Sequence, residues 1–340
     1  TGRCGNPSCR NRLDEGKIQA AFVFQADIQI PDNLLLLCAN CHDTLYSGTV
    51  PSVALQAWKI LQLAASSCIG EKPLDLRLAA VRNHTGLRKF FPTGYALYPT
   101  ACGPIYLDIH ESPMMLARAM HVYEPEKTET IREFLQPGQT FIDIGANKGD
   151  FTLLAAKLIG DKGQVLSFEP EPDNFSWLQK SIAHNGYGNI ITTNTALADS
   201  EGPATLYIGE KSGWHSLVAA PGTTTDGRSI RVECATLDRV LSNEQISQVD
   251  MIKIDVEGAE MQVLQGARET LARHDDLLLL IDIHPHRGVR PVDLCTMLIE
   301  AGYRIHDIGT GHRRLDEYPD TLTEILACRH LPSSGVGTTR

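Results

Sequence analysis

The chain has 340 residues, a length typical of about two domains and sufficient for a sizeable core. Charged residues make up 21% of it and hydrophobic residues 42%, which excludes wholesale disorder. The formal net charge of −10 argues against a protein whose main work is to bind nucleic-acid phosphates. Its longest apolar runs fall far short of the roughly 20 residues that span a bilayer, so we expect no membrane partner.

The cysteines are concentrated near the start of the chain. Four of the nine, Cys4, Cys9, Cys38 and Cys41, lie within the first 41 residues. The odd total argues against a disulfide framework and favours a reduced, cytoplasmic setting. Two thiolate pairs suit tetrahedral Zn²⁺, so we expect a small zinc-binding domain over residues 1–70, with free buried cysteines as the alternative. In so short a region the metal would also anchor the fold.

Residues 71–127 follow as a predicted linker and accessory hairpin. Gly, Pro and aromatic residues alternate there with short apolar runs, of which 95–98 and 105–109 predict strands. We interpret the pair as an accessory β-hairpin or lid.

Strand and helix patterns alternate over residues 128–330. This alternation predicts an α/β domain with a parallel sheet covered by helices on both faces. An excursion rich in Gly, Ser and Thr interrupts it at 202–228, and 331–340 resembles a flexible tail. The predicted strands are 140–144, 164–168, 189–194, 251–256, 277–283 and 304–308, with an edge strand at 323–328. The predicted helices are 131–135, 150–159, 172–184, 259–272 and 291–300.

A glycine loop follows the first of these strands. Gly145, Asn147 and Gly149 lie between the strand and the next helix, where glycines let a ligand approach the backbone and free N–H groups face it. Glu169 ends the next strand, and a carboxylate there can accept both ribose hydroxyls of a nucleoside. Together these features favour a nucleoside-containing ligand over the alternative, a structural turn.

An acid inside the strand, Asp143, narrows the choice of nucleoside. A dinucleotide site has G-x-G-x-x-G with the pyrophosphate over the helix start, whereas this loop has only two glycines, spaced G-x-x-x-G. A carboxylate would repel pyrophosphate and suit a cationic ammonium group. The loop therefore favours S-adenosylmethionine (SAM), which carries an amine and a positively charged sulfur.

Several further stretches extend this interpretation to a family: Tyr123-Glu-Pro-Glu-Lys127, Phe168-Glu-Pro-Glu-Pro172, Thr236-Leu-Asp238, Ile252-Lys-Ile-Asp-Val-Glu-Gly-Ala-Glu260 and Asp282-Ile-His-Pro285. Together with residues 135–149, they resemble the FkbM-type SAM-dependent methyltransferases over about residues 85–330. The resemblance implies a class I SAM methyltransferase fold, Rossmann-like, with seven strands of which one is antiparallel. It also implies transferase activity, usually O-methylation of a sugar or secondary-metabolite hydroxyl.

Two cofactor-binding assignments stay open at this stage. Many class I enzymes place an acid after the third strand to accept the adenine amine, and here Asn194, Asp199 or the backbone takes that role. Glu124 lies in the family-like Tyr-Glu-Pro run, so a position beside the cofactor is one interpretation and a helix-capping acid is the other.

Acidic groups and a histidine lie at the carboxyl ends of two strands that we expect to be neighbours: Asp255, Glu257, Asp282 and His284. We take His284 as the first candidate for general base, because an imidazole accepts a proton near neutral pH without a large pKa shift. A hydrogen bond at a helix start is its alternative role. Asp255 is second, as a ligand of cofactor or acceptor, and Glu257 completes the catalytic set. The same groups could hold Mg²⁺ or Ca²⁺.

Residues 33–42 resemble the second half of an HNH nuclease metal site, to which Asn33 and His42 would belong. Residues 10–41 contain no histidine, so the water-activating base of that family is missing. Residues 1–72 carry six basic and six acidic side chains, and this neutrality disfavours nucleic acid as a partner. We interpret the region as a degenerate HNH-like zinc module.

The sequence thus predicts a SAM-dependent methyltransferase with a small-molecule hydroxyl acceptor. Two alternatives remain open: an HNH-type nuclease or nucleic-acid-binding protein with an accessory SAM-binding domain, and a binding protein that keeps the SAM fold without turnover. Trp214-His215-Ser216 in the excursion could close over the acceptor or form a surface loop. The acceptor's identity and the oligomeric state are left open by the sequence.

Overall fold

A computed structural model of the chain describes residues 18–22, 34–38, 77–78, 81, 95–219, 225–308 and 311–332. The chain divides into two compact units, Thr1–Tyr123 and Glu124–Arg340. None of the helices in the described ranges is long and apolar enough to cross a membrane. Of the predicted zinc ligands, Cys4, Cys9 and Cys41 lie outside these ranges, as does most of the predicted zinc domain; Cys38 is described by its backbone alone.

The first unit contains two antiparallel strand pairs in its described part. β1 (Ile18–Phe22) pairs with β2 (Leu34–Cys38). β3 (Tyr95–Thr100) and β4 (Gly103–Asp108) form a tight hairpin in which Thr100 faces Gly103. Gly103 has a φ of 130°, a conformation that strongly favours glycine, so the residue suits this turn.

A short helix, α1 (Pro113–Ala119), follows the hairpin. It begins at Ser112, whose hydroxyl accepts a hydrogen bond from the backbone N–H of Met115, and proline occupies the first helical position. Leu116 and Ala119 are fully buried.

The second unit begins with helix and strand in regular alternation. Its elements in chain order are α2 (Pro125–Phe134), β5 (Thr140–Ile144), α3 (Asp150–Ile159), β6 (Gln164–Phe168), α4 (Pro172–Asn185), β7 (Ile190–Thr193), β8 (Ala196–Leu197), β9 (Gly202–Gly209), β10 (Thr225–Ala235), α5 (Leu237–Asn243), β11 (Met251–Ile254), α6 (Glu260–Gln265), α7 (Arg268–Arg273), β12 (Leu278–Asp282), α8 (Pro291–Glu300), β13 (Arg304–His306) and β14 (Glu324–Cys328).

Within the described residues, the main sheet has seven strands in the order β13-β14-β12-β11-β5-β6-β7. Neighbours among β5, β6, β7, β11 and β12 are parallel, whereas β14 is antiparallel to both of its neighbours. The expected fold class, an α/β sheet of seven strands with one antiparallel strand, is confirmed. Most residues of the central strands are apolar, as expected where helices cover both faces of a parallel sheet.

The position predicted for the last strand is wrong. Residues 323–328 were expected at the edge of the sheet, but β14 lies inside it, between β12 and β13, and β13 forms the edge. Ile325, Leu326 and Ala327 are all fully buried, which is the pattern of a strand covered on both faces.

The excursion at 202–228 also differs from the sequence prediction. It contains β9 and the beginning of β10, which form a second, three-stranded sheet in the order β8-β10-β9 in the described chain. Alternate residues such as Leu206, Ile208 and Val232 pack together in a small core of their own. The abundance of Gly, Ser and Thr masked this alternation.

The helix predicted at 259–272 is broken into α6 and α7. A Cβ at Gly266 would lie 2.0 Å from the backbone oxygen of Ala198, so a side chain cannot be accommodated there without movement. Close approach of the second sheet therefore coincides with the break in the helix.

Candidate active site

The glycine loop, residues 145–149, joins β5 to α3 at the carboxyl edge of the main sheet. Gly145 and Gly149 have φ angles of 78° and 98°, and Asn147 also lies in the left-handed region at 51°. A Cβ on Gly145 would lie 1.9 Å from the backbone oxygen of Asp255. Glycine is therefore required at 145 by both backbone conformation and space.

Glu169 lies one residue beyond β6, beside this loop. Its two carboxylate oxygens accept backbone N–H groups, from Asn147 at 2.8 Å and from Glu171 at 3.0 Å. Burial raises the pKa of Glu169 to about 7, although both hydrogen bonds act in the opposite direction. The structure thus brings Glu169 and the glycine loop together.

Asp143 is fully buried within β5. One of its oxygens accepts the Thr152 hydroxyl at 2.7 Å, and the other lies 3.3 Å from the ammonium of Lys253. Its described contacts are therefore internal to the domain, and its predicted role toward the cofactor's ammonium stays a prediction.

Lys253 was missed by the sequence analysis. It is buried in β11, donates to the Gly145 carbonyl at 2.9 Å and lies 3.7 Å from Asp255. Burial alone would lower the pKa of Lys253, but the neighbouring carboxylates, Asp143 first, outweigh that effect and raise it. A lysine in the otherwise apolar strand Met-Ile-Lys-Ile was the available signal.

Asp255, Glu257 and His284 come together beyond the ends of β11 and β12. His284 Nε2 lies 3.7 Å from an Asp255 oxygen and 3.6 Å from a Glu257 oxygen, while Nδ1 lies 2.7 Å from Glu260 Oε1. When ionised, a carboxylate only accepts hydrogen bonds, so Nδ1 donates to the fully buried Glu260 and Nε2 is directed to the other two acids.

These acids change the titration of His284. Burial would lower its pKa, but the hydrogen bond to Glu260 and the charges of Asp255 and Glu257 raise it to about 9. Burial raises the pKa of Glu257 to about 7, against the effect of His284 and Arg287. The surrounding carboxylates favour the protonated ring at neutral pH, and the general-base role of His284 stays a prediction.

Asp282 does not join this cluster, contrary to the expected set of four groups. Its two oxygens bind Lys127 at 2.6 and 2.7 Å, and the same ammonium lies 2.9 Å from Glu124 and 3.3 Å from Glu324. Among the described residues, Asp255, Glu257 and His284 have ligand atoms within 4.8 Å of one another and could hold a metal ion. Pairing with a buried lysine separates Asp282 from them.

Glu124, Asn194 and Asp199 are the remaining residues that the sequence suggested for cofactor binding. Glu124 precedes α2 with a φ of 41°, and its side chain makes no capping hydrogen bond. Asn194 donates to the backbone oxygens of Glu169 and Pro170, at 2.8 and 3.0 Å, so it shapes the turn that carries Glu169. Asp199 is exposed beyond β8. The adenine assignment stays a prediction.

Parts of this chain are similar to known methyltransferases. Residues 143–305 match the model of the Methyltransferase FkbM domain. The hexuronic acid methyltransferase AglP of Haloferax volcanii is 28% identical over 162 residues, which cover 47% of this chain and 61% of AglP. Methyltransferase sdnD of Sordaria araneosa is 27% identical over 224 residues, covering 57% and 83%. The 31-O-demethyl-FK506 methyltransferase FkbM of Streptomyces tacrolimicus is 29% identical over 167 residues, covering 40% and 62%.

Solved structures are similar at lower identity. The methyltransferase FkbM structure from Methylobacillus flagellatus is 17% identical, with a TM-score of 0.38 over 64% of this chain and 54% of that one. The matches to AglP and to the Streptomyces FkbM span about three fifths of each relative's length. Residues 143–305 of the chain are thus similar to the Methyltransferase FkbM domain.

Proposed function

We propose that the protein is a SAM-dependent methyltransferase that methylates a hydroxyl group of a sugar or a secondary metabolite. The observation that carries this proposal is that one edge of the sheet holds both a glycine loop with Glu169 and the Asp255–Glu257–His284 cluster. The matched family domain supports it. So do the names of two relatives, one a hexuronic acid methyltransferase and one a 31-O-demethyl-FK506 methyltransferase.

The donor groups at this edge fit SAM. Glu169 is a buried carboxylate whose two backbone donors do not offset its desolvation, so additional hydroxyl donors such as those of a ribose would stabilise its charged form. The backbone of Gly145, Asn147 and Gly149 would contact the ligand, whereas the Asp143 carboxylate is already paired with Lys253. When bound, SAM would supply the reactive methyl group on a positively charged sulfur.

Residues of this chain would accept the proton that the acceptor's hydroxyl group loses. Glu260 fixes the His284 ring, and Nε2 lies 3.6 to 3.7 Å from Asp255 and Glu257, slightly beyond direct hydrogen bonds. A hydroxyl oxygen could bridge such groups. Because His284 has a pKa of about 9, a carboxylate is the better proton acceptor at neutral pH, and we assign that role to Glu257, whose pKa is about 7.

Mg²⁺ or Ca²⁺ at the same three groups stays a prediction. The guanidinium of Arg287, 3.3 Å from Glu257, and the proton held on His284 both oppose cation binding. Addition of EDTA distinguishes a metal site at these three groups from proton transfer without a metal. Methyl transfer that needs no metal survives EDTA.

A structural zinc ion at Cys4, Cys9, Cys38 and Cys41 is proposed from the sequence alone, because these side chains lie outside the described part of the chain. The proposal expects one zinc per chain by elemental analysis, and loss of that zinc in Cys38→Ser combined with Cys41→Ser. A cytoplasmic setting is likewise a proposal from cysteine usage.

Calorimetry with SAM and its product S-adenosylhomocysteine (SAH) tests the central proposal. We expect both to bind the intact protein and Glu169→Ala to abolish binding, while Glu201→Ala, at an exposed residue, binds normally. Labelled methyl transfer from SAM into fractions of a cell extract then identifies the acceptor. A well-folded protein that binds neither ligand would refute the proposal, and metal-dependent nicking of DNA would favour the nuclease alternative.

A further inference from the structure

A compact loop, residues 210–215, follows β9 in the second sheet. Tyr207 and Ser216 pair across its base through backbone hydrogen bonds of 2.8 and 3.0 Å. The Gly209 N–H donates to His215 Nδ1 at 3.1 Å. A Cβ at Gly209 would lie 2.4 Å from the Trp214 backbone oxygen, so glycine permits this close return. The loop therefore has a definite shape, held by its own contacts.

One side of the 210–215 loop is held by Asn147 of the glycine loop and Asn174 of α4. The backbone oxygen of Ser212 accepts the side-chain amides of Asn147 and Asn174, each at 2.8 Å. The amide oxygens of these two asparagines accept from the backbone N–H and the ammonium of Lys148, respectively, at 2.9 and 2.7 Å. Since those groups can only donate, the orientation of both amides is fixed.

The other side of the loop is linked to Glu257 through Arg287 and through Ser216, which follows the loop. Arg287 donates to the Trp214 backbone oxygen at 3.2 Å and lies 3.3 Å from the Glu257 carboxylate. The Ser216 hydroxyl donates to the Glu257 backbone oxygen at 2.6 Å. Arg287 and Ser216 are buried, so these contacts are shielded from water.

We propose that Asn147 and Asn174 are positioning residues for methyl transfer, which act through the 210–215 loop on Glu257. The asparagines hold Ser212, the loop places Trp214 against Arg287, and Ser216 at the base of the loop binds Glu257. The position of the Glu257 carboxylate, which faces His284, therefore depends on Asn147 of the glycine loop and Asn174 of α4. The catalytic part of this inference rests on the proposed function, whereas the link from asparagine to Glu257 does not.

The variant Asn174→Asp tests the link from Asn174 through the 210–215 loop to Glu257. Aspartate has the same shape and still accepts from Lys148, but it cannot donate to Ser212 and places a carboxylate against a carbonyl. We expect hydrogen exchange of residues 210–217 and of 255–258 to rise by about tenfold or more, as loss of one buried hydrogen bond predicts. SAH affinity should change less than about threefold, while labelled methyl transfer falls about tenfold or more.

The matched control is Asn185→Asp on the same helix, whose amide donates to Ser181 within that helix. It should leave exchange in both segments and methyl transfer unchanged. If Asn174→Asp does not fold, Asn147→Asp repeats the hydrogen-exchange measurement alone from the glycine loop. Faster exchange at 210–217 with unchanged exchange at 255–258 would overturn the link. Loosening of both segments with normal transfer would overturn the positioning role, and absence of SAM and SAH binding to the unaltered protein would instead refute the proposed function.

Discussion

The backbone oxygen of Asp255 occupies the space that a side chain on Gly145 would need, 1.9 Å from the position of its Cβ. The two residues follow adjacent parallel strands, and the N–H of Asp255 donates to the carbonyl of Ile144 at 3.0 Å. The glycine loop and the start of the acidic cluster are therefore in direct backbone contact.

Gly145→Ala should destabilise the fold and abolish SAH binding. The added methyl group meets backbone that cannot rotate away, and φ at 145 is 78°. We expect the free energy of unfolding to fall by about 3 kcal/mol or more in urea titrations. Gly138→Ala is the control, because its φ of 86° is similar but nothing lies within 4 Å of the new Cβ. The free energy of unfolding of this control variant should fall by only about 1 kcal/mol. Equal decreases for the two variants would contradict the steric argument.

Lys253→Met should be strongly destabilising, because it leaves the fully buried Asp143 carboxylate without its cation. Removal of one partner of a buried ion pair typically lowers the free energy of unfolding by about 3–5 kcal/mol. Combination with Asp143→Asn should restore part of that loss, since no unpaired charge then remains. Strictly additive effects in this double-mutant cycle would show that the two side chains do not interact.

Glu169 should make the stability of the protein depend on pH. Its pKa rises from 4.5 to about 7 on folding, so the folded state retains a proton that the unfolded chain releases between these values. The stabilisation is therefore full below pH 4.5 and is lost as pH rises to about 7, a change on the order of 3 kcal/mol. Glu169→Gln cannot titrate at this position. Denaturant unfolding at several pH values should show the wild-type protein losing stability relative to the variant, and parallel curves would contradict the assignment.

Gly266→Ala should destabilise the contact between α6–α7 and the second sheet. Its Cβ would lie 2.0 Å from the Ala198 oxygen, so one element must move, at a cost of about 1–3 kcal/mol or more in thermal unfolding. Gly188→Ala, with nothing within 4 Å of the added methyl group, should be close to neutral. A neutral Gly266→Ala would mean that the helix break has another cause.

The local elements of the domain were predictable because their patterns are local. β5, α3 and β6 have the bounds that the sequence predicted, since each is a short apolar run bounded by Gly, Pro or charged residues. The prediction was wrong where a distant segment decides the outcome. The helix break at Gly266 lies beside Ala198, and β14 enters the sheet between β12 and β13 although it comes last in the chain.

The amino-acid sequence was sufficient to predict the kind of sheet, the glycine loop and the acids and histidine at strand ends, because periodicity and chain order are properties of neighbours along the chain. How those charges pair depends on the folded arrangement of distant segments. Lys127 binds Asp282 across 155 positions, Lys253 joins Asp143, and Glu260 directs His284 toward Asp255 and Glu257. Electrostatic pairing depends on distance and burial, and these arise only when separate strands lie side by side.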